Sequence, residues 1–490
     1  MTVGRIAEEQ SAHIAAWLLR GLGAEVLEVS RSKGPFTLGR GTVASLRDCR
    51  RADLLIADAA NADVGPAAIL RGSVVPCPEG GLPPGTVPYT CGVALAIGAL
   101  AAWRSQRSIE VSELGVAIQV YLPEVMAVSY GAPSWPAPPQ PIKAPGGGWL
   151  SADLGAPGDK ETFSTLLDTL EPDARSYKVS VTAQEWRLPV CEYLPRQAAA
   201  PAHPVQWTPD PSLKDDQADL PLEPRSSPSV PPLGDVAVCD LTAMWAGPLA
   251  TWLLTRLGAV VHKIEPASRL DGFRAIGGGG IYPGGVQTNP GEDSGLWNAL
   301  NYWKDRAPLD LRDPYQREQF VALANWCDVV VDSFSPRVMP NFGLNQRLVS
   351  APGRPVFASM PAFPPGPRRD WVAYGTGVHA LLGLGQRPDG TFYAPIVTYP
   401  DVVAGFTGAL AIVAALVGRD RGRPTERVEV PLYSAAQPLL AFPPGTGDID
   451  EGQDRPGEVL FDAGMASGAF TSLPVAGTSL MHPRGPFQPF

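Results

Sequence analysis

The sequence predicts an α/β fold built from two unequal copies of one unit. Three observations lead there. Short β-branched runs alternate with longer Ala/Leu-rich helical runs on both sides of a proline-rich stretch. Matching segments recur in the same order in the two halves. The 490 residues also exceed the size at which one core keeps growing.

The repeat is read segment by segment. Residues 11–29 (SAHIAAWLLRGLGAEVLEV) and 246–264 (AGPLATWLLTRLGAVVHKI) each form an amphipathic helical pattern, a glycine suited to a left-handed cap, and a short β-run. Trp17 aligns with Trp252, and Gly23 with Gly258. RRADLLIADAA (50–60) mirrors NWCDVVVDSFS (325–335), a helix end followed by a buried strand. The helical run beginning at Tyr89 mirrors the one at Tyr399, which sets Cys91 opposite Asp401. The offset grows from 235 to 275 to 310, so the second copy holds about 75 residues that the first lacks. Chemistry tends to reside in loops set on a rigid scaffold, so the first copy is expected to be a structural half.

The expected division is a degenerate first copy over 1–115, a small-domain-like segment over 116–194, a linker over 195–234, a fuller second copy over 235–440 and a C-terminal tail over 441–490. The linker expectation rests on ten prolines between Pro195 and Pro232, which exclude a helix or a central strand. Hydrophobic residues at 44% and charged residues at 18% supply large cores. The net charge of -10 argues against nucleic acid and anionic membrane as partners. Six scattered cysteines and five scattered histidines have no metal-ligand spacing, so no metal is expected. Free thiols suit a reducing cytoplasm, and Glu8 and Glu9 before a short apolar run do not read as a secretory leader. The apolar stretch from Val402 to Gly418 falls short of the ~20 residues of a membrane span and reads as a buried helix.

Residues 236–266, opening VAVCDLTAMWAGP and ending in Glu-Pro, begin a series of motifs: LDGFR (270–274), NYWKDRAPLDLRDP (301–314), CDVVVDSFSPRVMPNFGL (327–344) and YPDVVAGFTGALAIVAAL (399–416). In order and spacing these resemble the family III CoA-transferases, the CaiB/BaiF group that includes methylacyl-CoA racemases. The resemblance implies a Rossmann-like fold and coenzyme A, as an acyl-CoA thioester, for substrate. Residues 142–195 resemble the family's small domain. Because the family's chains interlock in pairs, two copies in one chain imply an intramolecular pseudo-dimer or a homo-oligomer.

The resemblance also nominates site residues. Gly247, in an Ala-Gly-Pro turn that opens a helix, suits close approach of an anion to free N–H groups, or simply an ordinary strand-to-helix turn. Arg274, Lys304 and Arg337 fall in blocks that the family uses around CoA phosphates, though each alone reads equally as a solvated charge. Phe334 matches a position that packs on adenine, or is a core aromatic. Trp245 stands where the transferases carry a Gln. The largest departure is Gly375, which occupies the slot of the transferases' nucleophilic Asp. Without that carboxylate, covalent transfer by the family's route is closed. His379, four residues on and on the same helical face, and Asp401 are the expected catalytic pair for non-covalent acid/base chemistry: isomerisation, epimerisation or dehydration. A core histidine and a helix cap are the plainer readings of those two residues. Two further functions stay open: a CoA-transferase with another nucleophile, and a non-catalytic partner subunit of an active homologue.

Overall fold

The computed structural model describes residues 82–131, 139–197, 202–209, 231–275, 295–344, 355–420, 425–445 and 455–489, except 84, 157, 476 and 477. It also describes 56–58, 68–71, and residues 11, 12, 14, 15, 17–19 and 22. In chain order the strands are β1 (Ile56–Asp58), β2 (Ala68–Arg71), β3 (Ile109–Ser112), β4 (Ile142–Lys143), β5 (Trp149–Ala152), β6 (Val190–Glu192), β7 (Gln206–Pro209), β8 (Ala237–Leu241), β9 (Val260–Ile264), β10 (Asp305–Ala307), β11 (Val329–Asp332), β12 (Val356–Ser359), β13 (Thr425–Glu429), β14 (Phe470–Val475), β15 (Thr478–Pro483) and β16 (Phe487–Pro489).

The second half is built on a seven-stranded sheet in the order β10-β9-β8-β11-β12-β13-β7. Its strands are parallel except β7, which runs antiparallel at the edge. Runs such as Val329-Val330-Val331 are buried throughout, as parallel strands covered on both faces require. The first half carries a four-stranded sheet, β1-β2-β3-β16, parallel except for antiparallel β16. The registers agree row by row. Ala57 lies opposite Ile69, Ile69 opposite Glu110, and Glu110 opposite Gln488. In the larger sheet Asp332 lies opposite Ser359, Ser359 opposite Glu429, and Glu429 opposite Gln206. Each half therefore has its edge closed by a strand that follows the other half in sequence.

Two long helices, Thr86–Ser105 and Tyr399–Asp420, precede β3 and β13 and pack against each other. Both are long and apolar enough to cross a membrane, and both are largely buried within the protein. A helix apolar on every side is stable only when surrounded. Glycine lets the second of these also approach the helix Ala246–Arg256 closely: a Cβ on Gly405 would lie 2.8 Å from Leu249 Cδ2 and 2.9 Å from the Ala246 carbonyl oxygen. Arg104 ties the halves at the far end. Its guanidinium donates to Asp235 at 2.7 and 3.0 Å, to Asp420 at 2.8 Å and to the Pro232 carbonyl at 2.6 Å. One continuous apolar core runs from Ile14 through both long helices to Phe487.

The expected division changes in three places. Residues 206–209, inside the expected linker, form β7; Pro209 fits there because an edge strand has a side that needs no N–H. Residues 441–490 are no tail, since they include the helix Pro456–Ser467, the β14–β15 hairpin and β16. Residues 113–129 form two short helices that pack with that C-terminal helix, so the small unit begins later. That unit, β4-β5-β6 with helices Asp159–Thr169 and Ser176–Glu185, has a core of its own around Leu150, Leu166 and Val179. The glycine cap read at 258 is present, at φ 103°. Gly23, the β-run after it and linker residues 210–230 lie outside the described residues.

Candidate functional site

Strand order reverses between β8 and β11, and crevices beyond the carboxyl ends of strands at such a switch point are where open α/β sheets bind ligands. Chain leaving β8 turns through Thr242, Ala243, Met244 and Trp245 into the helix Ala246–Arg256. Met244 holds φ 68°, a left-handed conformation uncommon for a residue with a side chain. Its N–H donates to the Asp271 carboxylate at 3.1 Å, which fixes that geometry. A Cβ on Gly247 would collide with the Thr242 side chain, so strand-to-helix packing alone demands glycine there. Trp245 is buried and meets Phe273 edge-on, with centroids 6.4 Å apart.

Beneath the turn lies a buried ionic network. Asp240 accepts from the Thr242 and Thr251 hydroxyls at 2.6 Å each and from Lys304 Nζ at 2.9 Å. Lys263 is 3.8 Å from Asp240 and 3.7 Å from Asp271. Burial pushes the Asp240 carboxyl up, but the two lysine charges outweigh it and hold the group well below the usual range.

Two sequence expectations fail here. Lys304, expected at a CoA phosphate, is buried. It donates to Asp240, the Pro248 carbonyl, Thr251 and Asn301 at 2.7–2.9 Å, leaving its three protons no role outward. Burial lowers it to about 8 despite the Asp240 charge. Arg274, expected beside it, is also buried. It donates to Glu265 at 3.0 Å and lies 3.3 Å above the Trp297 ring, so its charge is already answered. Both residues came from motif matches, and a motif match does not reveal which way a cation points.

Phe334 and Arg337 follow β11 at the crevice. Phe334 is half-buried, its N–H held by Asp332 Oδ1 at 3.0 Å. Arg337 is half-exposed and 3.6 Å from Asp370. The glycine-rich run 276–287 lies outside the described residues.

The slot at 375 is one turn of helix away from this crevice. Gly405, packed against Ala246, is four residues beyond Asp401, and four residues of helix span roughly 6 Å. Gly375 opens the helix Gly375–Leu381, and its N–H donates to Asp401 Oδ2 at 3.0 Å. A Cβ on residue 375 would fall on that same oxygen. The Asp401 carboxyl thus fills the space a side chain at 375 would take. Asp401 sits in the first turn of Tyr399–Asp420, and its carboxylate accepts from Thr398 and its own N–H as well as from the Gly375 N–H. Burial raises it to about 7, and the nearby Asp153 charge pushes it the same way.

Asp153, just past β5 in the small unit, accepts a hydrogen bond from the Thr376 hydroxyl, one residue from Gly375. Burial raises its carboxyl as well. Cys191 lies close by, its Sγ 3.0 Å from where a Cβ on Gly377 would be, and burial pushes that thiol far up. Reasoning from sequence missed Asp153. Its position in Ala-Asp-Leu after a short strand has no distinguishing pattern, and only docking of the small unit on this helix brings it in.

His379 is corrected. It is fully buried, with Nε2 3.0 Å from the Tyr393 carbonyl and Nδ1 2.7 Å from the Tyr399 hydroxyl. The carbonyl only accepts, so Nε2 carries the hydrogen and Nδ1 accepts from the tyrosine. Burial lowers the ring to about 4, so it stays neutral with both nitrogens occupied. Its helical face is shared with Gly375 as expected, but its bonds go to the two tyrosines and not to Asp401. Among the described residues no group of three His, Cys, Asp or Glu is placed to hold a metal ion.

Residues 233–470 match the model of CoA-transferase family III, so the resemblance read from the motifs of 236–440 holds over that stretch. The chain is 31% identical over 207 residues to the formyl-CoA:oxalate CoA-transferase of Afipia carboxidovorans, covering 41% of this chain and 47% of that protein. It is 29% identical over 226 residues to the acetyl-CoA:oxalate CoA-transferase of Acetobacter aceti, covering 44% and 55%. The chain spans about half the length of the curated relatives it matches. Among solved structures, Rv3272 from Mycobacterium tuberculosis aligns at 28% identity with a TM-score of 0.39, covering 43% of this chain and 58% of that one.

Proposed function

We propose that this chain acts on an acyl-CoA thioester by non-covalent acid/base chemistry, with Asp401 as the group that takes and returns the proton. One observation carries the reading: the Asp401 carboxyl occupies the space that a side chain at 375 would fill, held by the Gly375 N–H. A carboxyl poised at about 7 is matched to proton transfer near neutral pH, because both of its forms are then populated. The substrate class comes from the family match and from the CoA thioesters named in the relatives. The thioester would enter along the crevice between β8 and β11, past Phe334 and Arg337, with its acyl carbon reaching Asp401.

The agreement in strand order and register supports a tandem duplication, with the first half as the scaffold partner of an intramolecular pseudo-dimer. Cys91, which aligns with Asp401, is a buried thiol on the helix of the first half, so acid/base work is expected from the second half alone.

The test is solvent deuterium incorporation into a panel of short acyl-CoAs. Asp401→Asn should reduce exchange by about 10²–10⁴-fold, the usual contribution of a general acid–base group. His379→Gln, whose amide can meet both tyrosine partners, should still exchange. Hydroxylamine trapping should leave residues 375 and 401 unmodified. A hydroxamate at Asp401 would replace this reading with covalent transfer. Absence of exchange and turnover across the panel would favour a non-catalytic partner subunit.

A further inference from the structure

The small unit docks on the helix that opens at the 375 slot and brings one carboxyl with it. Two acidic side chains are thereby held by consecutive residues: Asp401 by the Gly375 N–H, and Asp153 by the Thr376 hydroxyl. Thr376 is buried, and Asp153 is further fixed by its own N–H, which donates to the Pro189 carbonyl at 3.1 Å. We propose that Asp153 is a positioning residue for Asp401, its carboxylate setting the balance between the protonated and ionised forms of the Asp401 carboxyl. The inference rests on the reading of Asp401 given above and deepens it.

The groups around the pair are few. Tyr374 precedes the slot, and Cys191 and Tyr193 come from β6 and the residue after it. The Asp153 charge pushes all three of these upward after burial has done so. The neighbouring cations are Arg269, acting on Tyr374, and Arg368, acting on Cys191; Asp159 adds a further negative charge near Tyr374. Neither arginine is among the groups acting on Asp401, where Asp153 is the one charged neighbour that matters. Like charges close together cannot both ionise freely, so Asp153 in its charged form disfavours ionisation of Asp401.

The experiment is a ¹³C NMR titration of protein labelled at the Asp carboxyl carbons, with the Asp401 signal assigned by its loss in Asp401→Asn. In Asp153→Asn the amide oxygen still accepts from Thr376 but carries no charge, so the Asp401 midpoint should move to lower pH. The midpoint should not move in Asp389→Asn, an exposed position elsewhere. In the wild type, the Asp153 and Asp401 signals should titrate as a coupled pair, each showing two steps, which keeps the test open if Asp153→Asn does not fold. An unmoved midpoint in a folded Asp153→Asn variant, or independent single-step curves in the wild type, would overturn the proposal. This titration reads the pair without turnover, so it fails separately from the exchange assay.

Discussion

Asp401→Asn should flatten the pH dependence of stability while cutting proton exchange by about 10²–10⁴-fold. The Asp401 carboxyl is raised from an ordinary 3.8 to about 7, chiefly by burial. A carboxyl with a raised folded value contributes stability that is fully present below 3.8 and lost as pH rises through 7, because the folded state holds a proton that the unfolded chain has released. The full span is worth on the order of 4 kcal/mol at 1.36 kcal/mol per pH unit. Roughly 3 kcal/mol of it disappears between pH 5 and pH 8. Asparagine keeps an oxygen to accept the Gly375 N–H and never ionises, so this pH dependence vanishes with it. Other groups add slopes of their own: burial raises Asp332 to about 6 and lowers His379 to about 4. Those contributions are common to both proteins and cancel when the two are compared. Urea denaturation at half-unit steps from pH 5 to 8, read by tryptophan fluorescence, gives both curves. The variant should gain on the wild type steadily as pH rises. Parallel curves would mean that Asp401 is already ionised in the folded protein at pH 5, and the acid/base reading would go with it.

Lys304→Met should destabilise the fold by about 3–5 kcal/mol, because it strands the fully buried Asp240 with a more distant Lys263; equilibrium urea unfolding reads this. A variant of unchanged stability with weakened CoA binding would return Lys304 to the phosphate role. Arg104→Ala should cost a similar ~3–5 kcal/mol and loosen the join between the halves, since Asp420 and Asp235 lose a common partner. Limited proteolysis should then cut the variant sooner than the wild type.

The α/β class and the match of residues 233–470 to CoA-transferase family III were legible in the sequence, because they follow from local patterns: apolar runs of strand length, helical runs ended by glycine, and turns with fixed residues. The sequence also marked Gly375 and Asp401 as the unusual and the retained positions, since a missing side chain is visible without coordinates. Packing of elements distant in sequence sets which way the charged groups point. Lys304, Arg274 and His379 carry the right chemistry for a site, yet packing turns each inward to partners within the protein. Asp153 behaves in the opposite way, an ordinary residue made significant by docking a separate unit against one helix. The exchanged edge strands β7 and β16 were equally hidden. A short strand containing proline reads as linker or tail, and it becomes a strand only when another segment, distant in sequence, offers an open sheet edge to complete.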